Sequence, residues 1–208
     1  MTPFIIAVAG MPGAGKSTLI CNAVQALGDA DSLQFDDYTR GSDYPNIPQW
    51  VAGGCDPNQW VSPGLGEHLA LLKHGLKVHT PNTDRVVEPR KFMFLEEPFG
   101  RARAAIAAYV DMAVAIDLPI DVALARRLLR DINTPDMTSS AQKARDHVDS
   151  YCRRFLFESR RELILAGQRW ALQNCDLVLD GTKPMAALTA ELLTALNEFQ
   201  NAMLSGRR

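Results

Sequence analysis

The chain has 208 residues, 47% of them hydrophobic and 22% charged, which excludes a disordered polypeptide and supplies a core for a single domain. Its 24 acidic and 22 basic side chains leave a formal charge of −2, so no broad positive surface draws it to nucleic acid or to an anionic membrane, and an anionic ligand has to be held locally. The longest apolar runs, Phe4–Gly10 and Ala104–Ile116, fall short of the about 20 residues needed to span a bilayer, and Asp111 interrupts the second.

In chain order, Phe4–Ala9 (FIIAVA) is a continuous apolar run ending at glycine, the pattern of a strand buried on both faces of a parallel sheet. Ser17–Leu27, free of Pro and Gly and stopping before Gly28, predicts a helix. Ser32–Phe35 predicts a short strand with Asp36 and Asp37 at its C-terminal end. Residues 39–66 are crowded with Gly, Pro, Asn and Asp around Trp50 and Trp60 and predict a long irregular excursion of the functional kind. A helix over Glu67–His74, a strand over Leu76–Thr80 and an apolar strand over Lys91–Leu95 follow, the last running into Glu96, Glu97 and Pro98. Arg101–Tyr109 predicts a helix, Met112–Leu118 a buried strand, and Asp121–Asp131 a helix bearing arginines. After a polar break at Asn133–Ser140, one long helix is expected over Ala141–Asn174, then a short strand over Asp176–Leu179 and a closing helix over Pro184–Ala202. This alternation predicts a doubly wound α/β architecture with ligands at the C-terminal edge of its strands.

No basic segment followed by an apolar stretch and a small-residue cleavage site opens the chain, so a cytoplasmic protein is expected. Cys21, Cys55, Cys152 and Cys175 are widely scattered, which suits reduced thiols better than disulfides or zinc ligation. The four histidines show no ligand spacing.

One segment carries a specific chemical signal. Gly10, Met11, Pro12, Gly13, Ala14, Gly15, Lys16 and Ser17 fit the phosphate-binding pattern G-x-x-x-x-G-K-[ST], the Walker A motif, and lie between a predicted buried strand and a predicted helix. Glycines let successive N–H groups converge on phosphate oxygens, and the helix start adds partial positive charge. Lys16 is placed to reach β- and γ-phosphates and the Ser17 hydroxyl to bind Mg²⁺. The guanine-reading N-K-x-D and the D-x-x-G of GTP switches occur nowhere in the chain, which argues against a GTPase.

Beyond the loop, FDDY (35–38), IDVALARRLLRD (120–131) and CDLVLDG (175–181) appear in that order. With GMPGAGKST (10–18), the chain resembles the uridine kinase, phosphoribulokinase and pantothenate kinase group of P-loop kinases from its first strand to about Pro184. The resemblance implies a P-loop fold with a mainly parallel five-stranded sheet, helices on both faces and a small helical lid. It places one kinase domain over residues 1–208, with the acceptor region at about 39–66 and 81–90 and the lid at about 126–145.

It further implies an ATP- and Mg²⁺-dependent kinase that phosphorylates a hydroxyl of a nucleoside, sugar or cofactor precursor. Gly10 to Thr18 would hold the nucleotide, and Asp36, with Asp37 as the neighbouring alternative, would be the general base. Successive strand residues point to opposite faces, so one of the two is expected to enter the site. Glu96 or Glu97 would assist Ser17 at the metal, and Arg127 and Arg130, with Arg126, would clamp the transferring phosphoryl group. Asp37, Tyr38, Asp84, Arg85 and Arg90 would contact the acceptor. The aromatic residues that flank the counterpart of Asp84 in uridine kinases are Thr83 and Arg85 here, which departs from a simple uridine site and suits an anionic acceptor. Two other readings stay open: a nucleoside monophosphate kinase, with Arg85 and Arg90 as its acceptor-phosphate site and a lid over 126–161, and a nucleotide-binding accessory ATPase. A small-molecule acceptor is the expected partner, and the family leaves a homo-oligomer open.

Overall fold

A computed structural model describes residues 2–39 and 44–205. Its central sheet has five parallel strands in the order β2 (Ala30–Leu33), β5 (Phe92–Glu96), β1 (Phe4–Gly10), β6 (Met112–Asp117) and β7 (Leu177–Asp180). The two-residue strands β3 (Val78–His79) and β4 (Val86–Val87) form a separate antiparallel hairpin. The helices are α1 (Lys16–Leu27), α2 (Ile47–Ala52), α3 (Leu65–Lys73), α4 (Ala104–Ala107), α5 (Ile120–Ile132), α6 (Pro135–Thr138), α7 (Ala141–Phe157), α8 (Arg160–Gln173) and α9 (Met185–Ser205).

The apolar run of β1 is apolar because both sheet faces are covered. Ile6 and Val8 pack with Leu19 and Ile20 of α1 and Leu188 and Leu192 of α9, whereas Ile5 and Ala7 pack with Leu65, Leu69 and Leu72 of α3. Alternate side chains of one strand thus feed two cores, as the period of two requires. On the second face Ala9 and Ala115 meet Ala171, which seats α8 closely against the sheet. The parallel five-stranded α/β expectation holds. Among the described residues, no helix is long and apolar enough to cross a membrane.

Several expected elements differ, among them the helix expected over Arg101–Tyr109, which shortens to Ala104–Ala107, and the polar break at Asn133–Ser140, which holds α6. The strand expected at Leu76–Thr80 stays outside the main sheet and shrinks to the β3–β4 hairpin. Strand β2 ends at Leu33, so Phe35–Tyr38 is a 3₁₀ turn rather than a strand end. The long helix expected over Ala141–Asn174 breaks between α7 and α8, where Ser159 takes a left-handed conformation with φ 57°; neither glycine nor proline marks the break. Within the excursion, Asn46 caps α2 by accepting from the Gln49 N–H at 3.2 Å, and a 3₁₀ turn forms at Pro57–Gln59.

Candidate active site

The C-terminal ends of β1, β2 and β5 open into a cavity of about 1080 Å³. Its floor is the loop between β1 and α1. Gly13 has φ 93°, and a Cβ placed there would lie 2.3 Å from the Ala123 carbonyl of α5, so a bare backbone is required where that helix crosses the loop. Gly15 caps α1 in the left-handed region without a side-chain cap, leaving first-turn N–H groups for an anion. Gly10, Met11, Pro12, Gly13, Gly15, Lys16, Ser17 and Thr18 all line the cavity, whereas the Ala14 side chain is buried in the core below.

Glu96, the last residue of β5, links the loop's two functional side chains. Ser17 Oγ donates to its Oε2 at 2.8 Å, and Lys16 Nζ lies 3.4 Å from its Oε1 and donates to the Met11 carbonyl at 3.3 Å. Burial lowers the Lys16 pKa; Glu96 and Asp36 oppose that effect, and Arg130 adds to it. Asp36 and Arg130 therefore act electrostatically on the Lys16 ammonium group.

Glu97 does not share the site with Glu96. Its side chain is 0% exposed and takes Arg103 in a fork, Nε to Oε1 at 3.0 Å and Nη2 to Oε2 at 2.5 Å. Burial raises its pKa, against the pull of Arg103. Alternation along the strand end turns it away from the loop, so of the two glutamates expected at the metal only Glu96 lines the cavity.

Asp36 and Asp37 both reach the cavity wall, because they sit in a 3₁₀ turn and do not alternate as strand residues would. Asp36 is exposed; Asp37 is buried and accepts from Thr83 Oγ1 at 3.0 Å. Asn82 fastens this turn by donating to the Asp36 carbonyl at 2.5 Å. Tyr38 is buried away from the cavity, its hydroxyl 2.9 Å from His68 Nδ1, and burial pushes its pKa up.

The other acceptor residues are not brought to the cavity. Asp84 lies at the tip of the β3–β4 hairpin with its side chain 90% exposed. Arg85 is held by Asp31 at 2.9 Å and by the Ser32 carbonyl, along the edge of β2. Arg90 pairs with Glu88 at 3.5 Å on the surface. The acceptor-phosphate site that the monophosphate kinase reading drew from Arg85 and Arg90 is absent from the cavity lining.

Arg126, Arg127 and Arg130 do line it. Arg126 donates to the Gly181 carbonyl at 3.0 Å, and Arg127 and Arg130 both donate to Asp131, at 2.7 Å and 3.2 Å. His147 of α7 meets the same carboxylate at 3.1 Å. Burial works against the Asp131 carboxylate, but these partners outweigh it and hold its pKa below the usual carboxylate value.

Of the remaining walls, Tyr44, Ile47 and Trp60 belong to the expected 39–66 excursion, whereas Phe99 and the α8 residues from Leu163 on carry no expectation from the sequence. Phe35, Tyr44, Trp60 and Phe99 form an aromatic side, and Arg160, Leu163, Ile164, Gly167 and Gln168 contribute one face of α8. The steps of three and four in the latter set are a legible signal, but only once a helix is known to start at Arg160.

Comparison with known proteins agrees with this geometry. The model of the Phosphoribulokinase / Uridine kinase family matches residues 69–146. The uridine kinase of Enterobacter sp. (strain 638) is 26% identical over 146 residues, covering 62% of this chain and 68% of the relative. That of Haemophilus ducreyi is 26% identical over 167 residues, covering 72% and 74%. A gluconokinase from Sinorhizobium meliloti 1021 shares the fold with a TM-score of 0.51 at 16% identity, over 100% of this chain and 99% of that one. With a loop of the phosphate-binding pattern, a strand-end glutamate and an acidic turn around one cavity, the chain is similar to P-loop kinases of the phosphoribulokinase and uridine kinase type.

Proposed function

We propose that the chain transfers the γ-phosphoryl group of ATP to a hydroxyl of a nucleoside, sugar or cofactor precursor, with Asp36 as general base. One observation carries this reading: Lys16 and Ser17 converge on Glu96 at the floor of a cavity whose wall bears the exposed Asp36. A hard cation coordinated mainly by nucleotide and water oxygens asks the protein for one or two oxygen donors. Ser17 and Glu96, bonded at 2.8 Å, fit that requirement. Mg²⁺ held there would neutralise charge on the phosphates.

The chain's own groups supply the rest. The loop N–H groups and Lys16 orient the phosphates, and Asp36 accepts the proton of the attacking hydroxyl. Arg127 and Arg130 exchange their hold on Asp131 for the transferring phosphoryl oxygens. Positioning and electrostatics of this kind account for most of the rate in phosphoryl transfer. The aromatic side built from Phe35, Tyr44, Trp60 and Phe99 takes the acceptor's carbon skeleton.

An acceptor screen with γ-labelled ATP tests the reading, with Asp36→Asn as its control. We expect label transfer to a hydroxyl compound and a fall of about 10²–10⁴-fold in that rate in the variant, with binding of a non-hydrolysable ATP analogue retained. Full transfer by Asp36→Asn removes the base assignment.

A further inference from the structure

Five cations line the cavity: Lys16, Arg126, Arg127, Arg130 and Arg160. The first four each have an oxygen acceptor within the protein. Arg160 has none among the described residues. Its guanidinium lies 5.0 Å from the ring centroid of Tyr151, and its Nε is buried without a hydrogen-bond partner. The half-buried guanidinium thus lines the cavity with its Nε–H shut away from any acceptor, and a bound oxyanion is the group that its planar fork matches.

Its position assigns it to the acceptor half of the cavity. Arg160 opens α8, which packs against α2 of the excursion, and Trp170 of the same helix donates to the Cys55 carbonyl at 2.8 Å. Two turns on, Gln168 is only 7% exposed; its Nε2 donates to Asp117 Oδ1 at 2.7 Å. That bond fixes the amide and leaves Oε1, in a residue that lines the cavity, as a buried acceptor without a donor.

We propose that the acceptor is an anion: a hydroxyl compound bearing a carboxylate or phosphate that docks on Arg160, while a second hydroxyl or N–H donates to Gln168 Oε1. The proposal rests on the kinase reading above and adds the class of acceptor. Arg160 takes the role that the sequence suggested for Arg85 and Arg90. It differs from a phosphate clamp for ATP because the Lys16, Arg127 and Arg130 group already surrounds the loop.

The test uses acceptors matched except in charge, assayed by ADP release with MgATP: glucose, gluconate and glucose 6-phosphate; uridine and uridine 5′-monophosphate; pantothenol and pantothenate. We expect a charged member of one set to exceed its neutral partner at least tenfold in kcat/KM. Whether the carboxylate or the phosphate compound does so identifies the oxyanion. Arg160→Gln should collapse that ratio toward one through a raised KM for the charged acceptor, and Arg160→Lys should restore part of it. The lysine variant also serves if the glutamine one does not fold. Preference for the neutral member, or a loss in Arg160→Gln that is equal for both members, overturns the proposal. If no compound stimulates ADP release from a chain that binds ATP, the kinase reading fails and this inference falls with it.

Discussion

Individual residues of the phosphate loop carry separable duties, and substitution can tell them apart. At Gly13 the limit is space, since an added Cβ would meet the Ala123 carbonyl at 2.3 Å, whereas at Gly28, φ 72°, nothing lies within 4 Å. Gly13→Ala should therefore displace either the loop or α5 and weaken ATP-analogue binding at least tenfold in a fluorescence titration. Gly28→Ala should cost about 1 kcal/mol of stability through its backbone alone and leave nucleotide binding intact; equal effects on binding would refute the distinction. Lys16→Ala removes the charge at the loop while leaving the Ser17–Glu96 bond in place. We expect it to lower kcat/KM for ATP by at least about 10²-fold, with contributions from both binding and rate in steady-state kinetics.

At the scale of elements, Asp131 is the joint between α5 and α7, gathering Arg127, Arg130 and His147. Its pKa is lower in the folded chain than in the unfolded one. The stability it contributes is present above the ordinary aspartate value, near about pH 4, and disappears as acid titrates the folded carboxylate below that value. Asp131→Asn should therefore melt at a lower temperature than the parent at neutral pH, and the two melting curves should converge below about pH 4. A gap that persists unchanged into acid would remove the carboxylate from this role. How far such elements can be read in a sequence depends on how local their determinants are. Strand β1 and the loop after it are legible because burial on both faces and phosphate binding each constrain consecutive residues. The start of α8 is not, because Ser159 adopts a left-handed conformation with no glycine or proline to announce it. The cavity-facing Arg160 was hidden by that missing boundary. Arg85 departs from its expected place for a different reason: its partner, Asp31, is 54 residues earlier in the chain.

For the whole molecule, the aromatic side of the cavity depends on one buried ion pair. Arg103 grips Glu97 at the end of β5 and also donates to the Trp60 carbonyl at 2.7 Å and Ser62 Oγ at 3.0 Å. Its guanidinium lies 5.6 Å from the Phe35 ring centroid, and the following Ala104 N–H donates to Asn58 Oδ1 at 2.8 Å. The excursion that supplies Trp60 is thereby fastened to the strand edge that supplies Glu96, so the aromatic wall and Glu96 share one support. Removing one partner of such a pair strands the other charge, at a cost of about 3–5 kcal/mol, which for a chain of this size lowers Tm on the order of 10 °C. Arg103→Met should show that loss and raise the acceptor's KM more than that of ATP. Burial already raises the Glu97 pKa, and without Arg103 the folded chain would bind its proton more readily still than the unfolded chain. The defect should then deepen as pH rises above the ordinary glutamate value and ease in mild acid. Pairing Arg103→Met with Glu97→Leu should recover much of the stability, since an apolar pair carries no stranded charge. The acceptor's KM should stay high in that double variant, because the bonds to Trp60 and Ser62 are still missing; recovery of both would show that the pair serves stability alone.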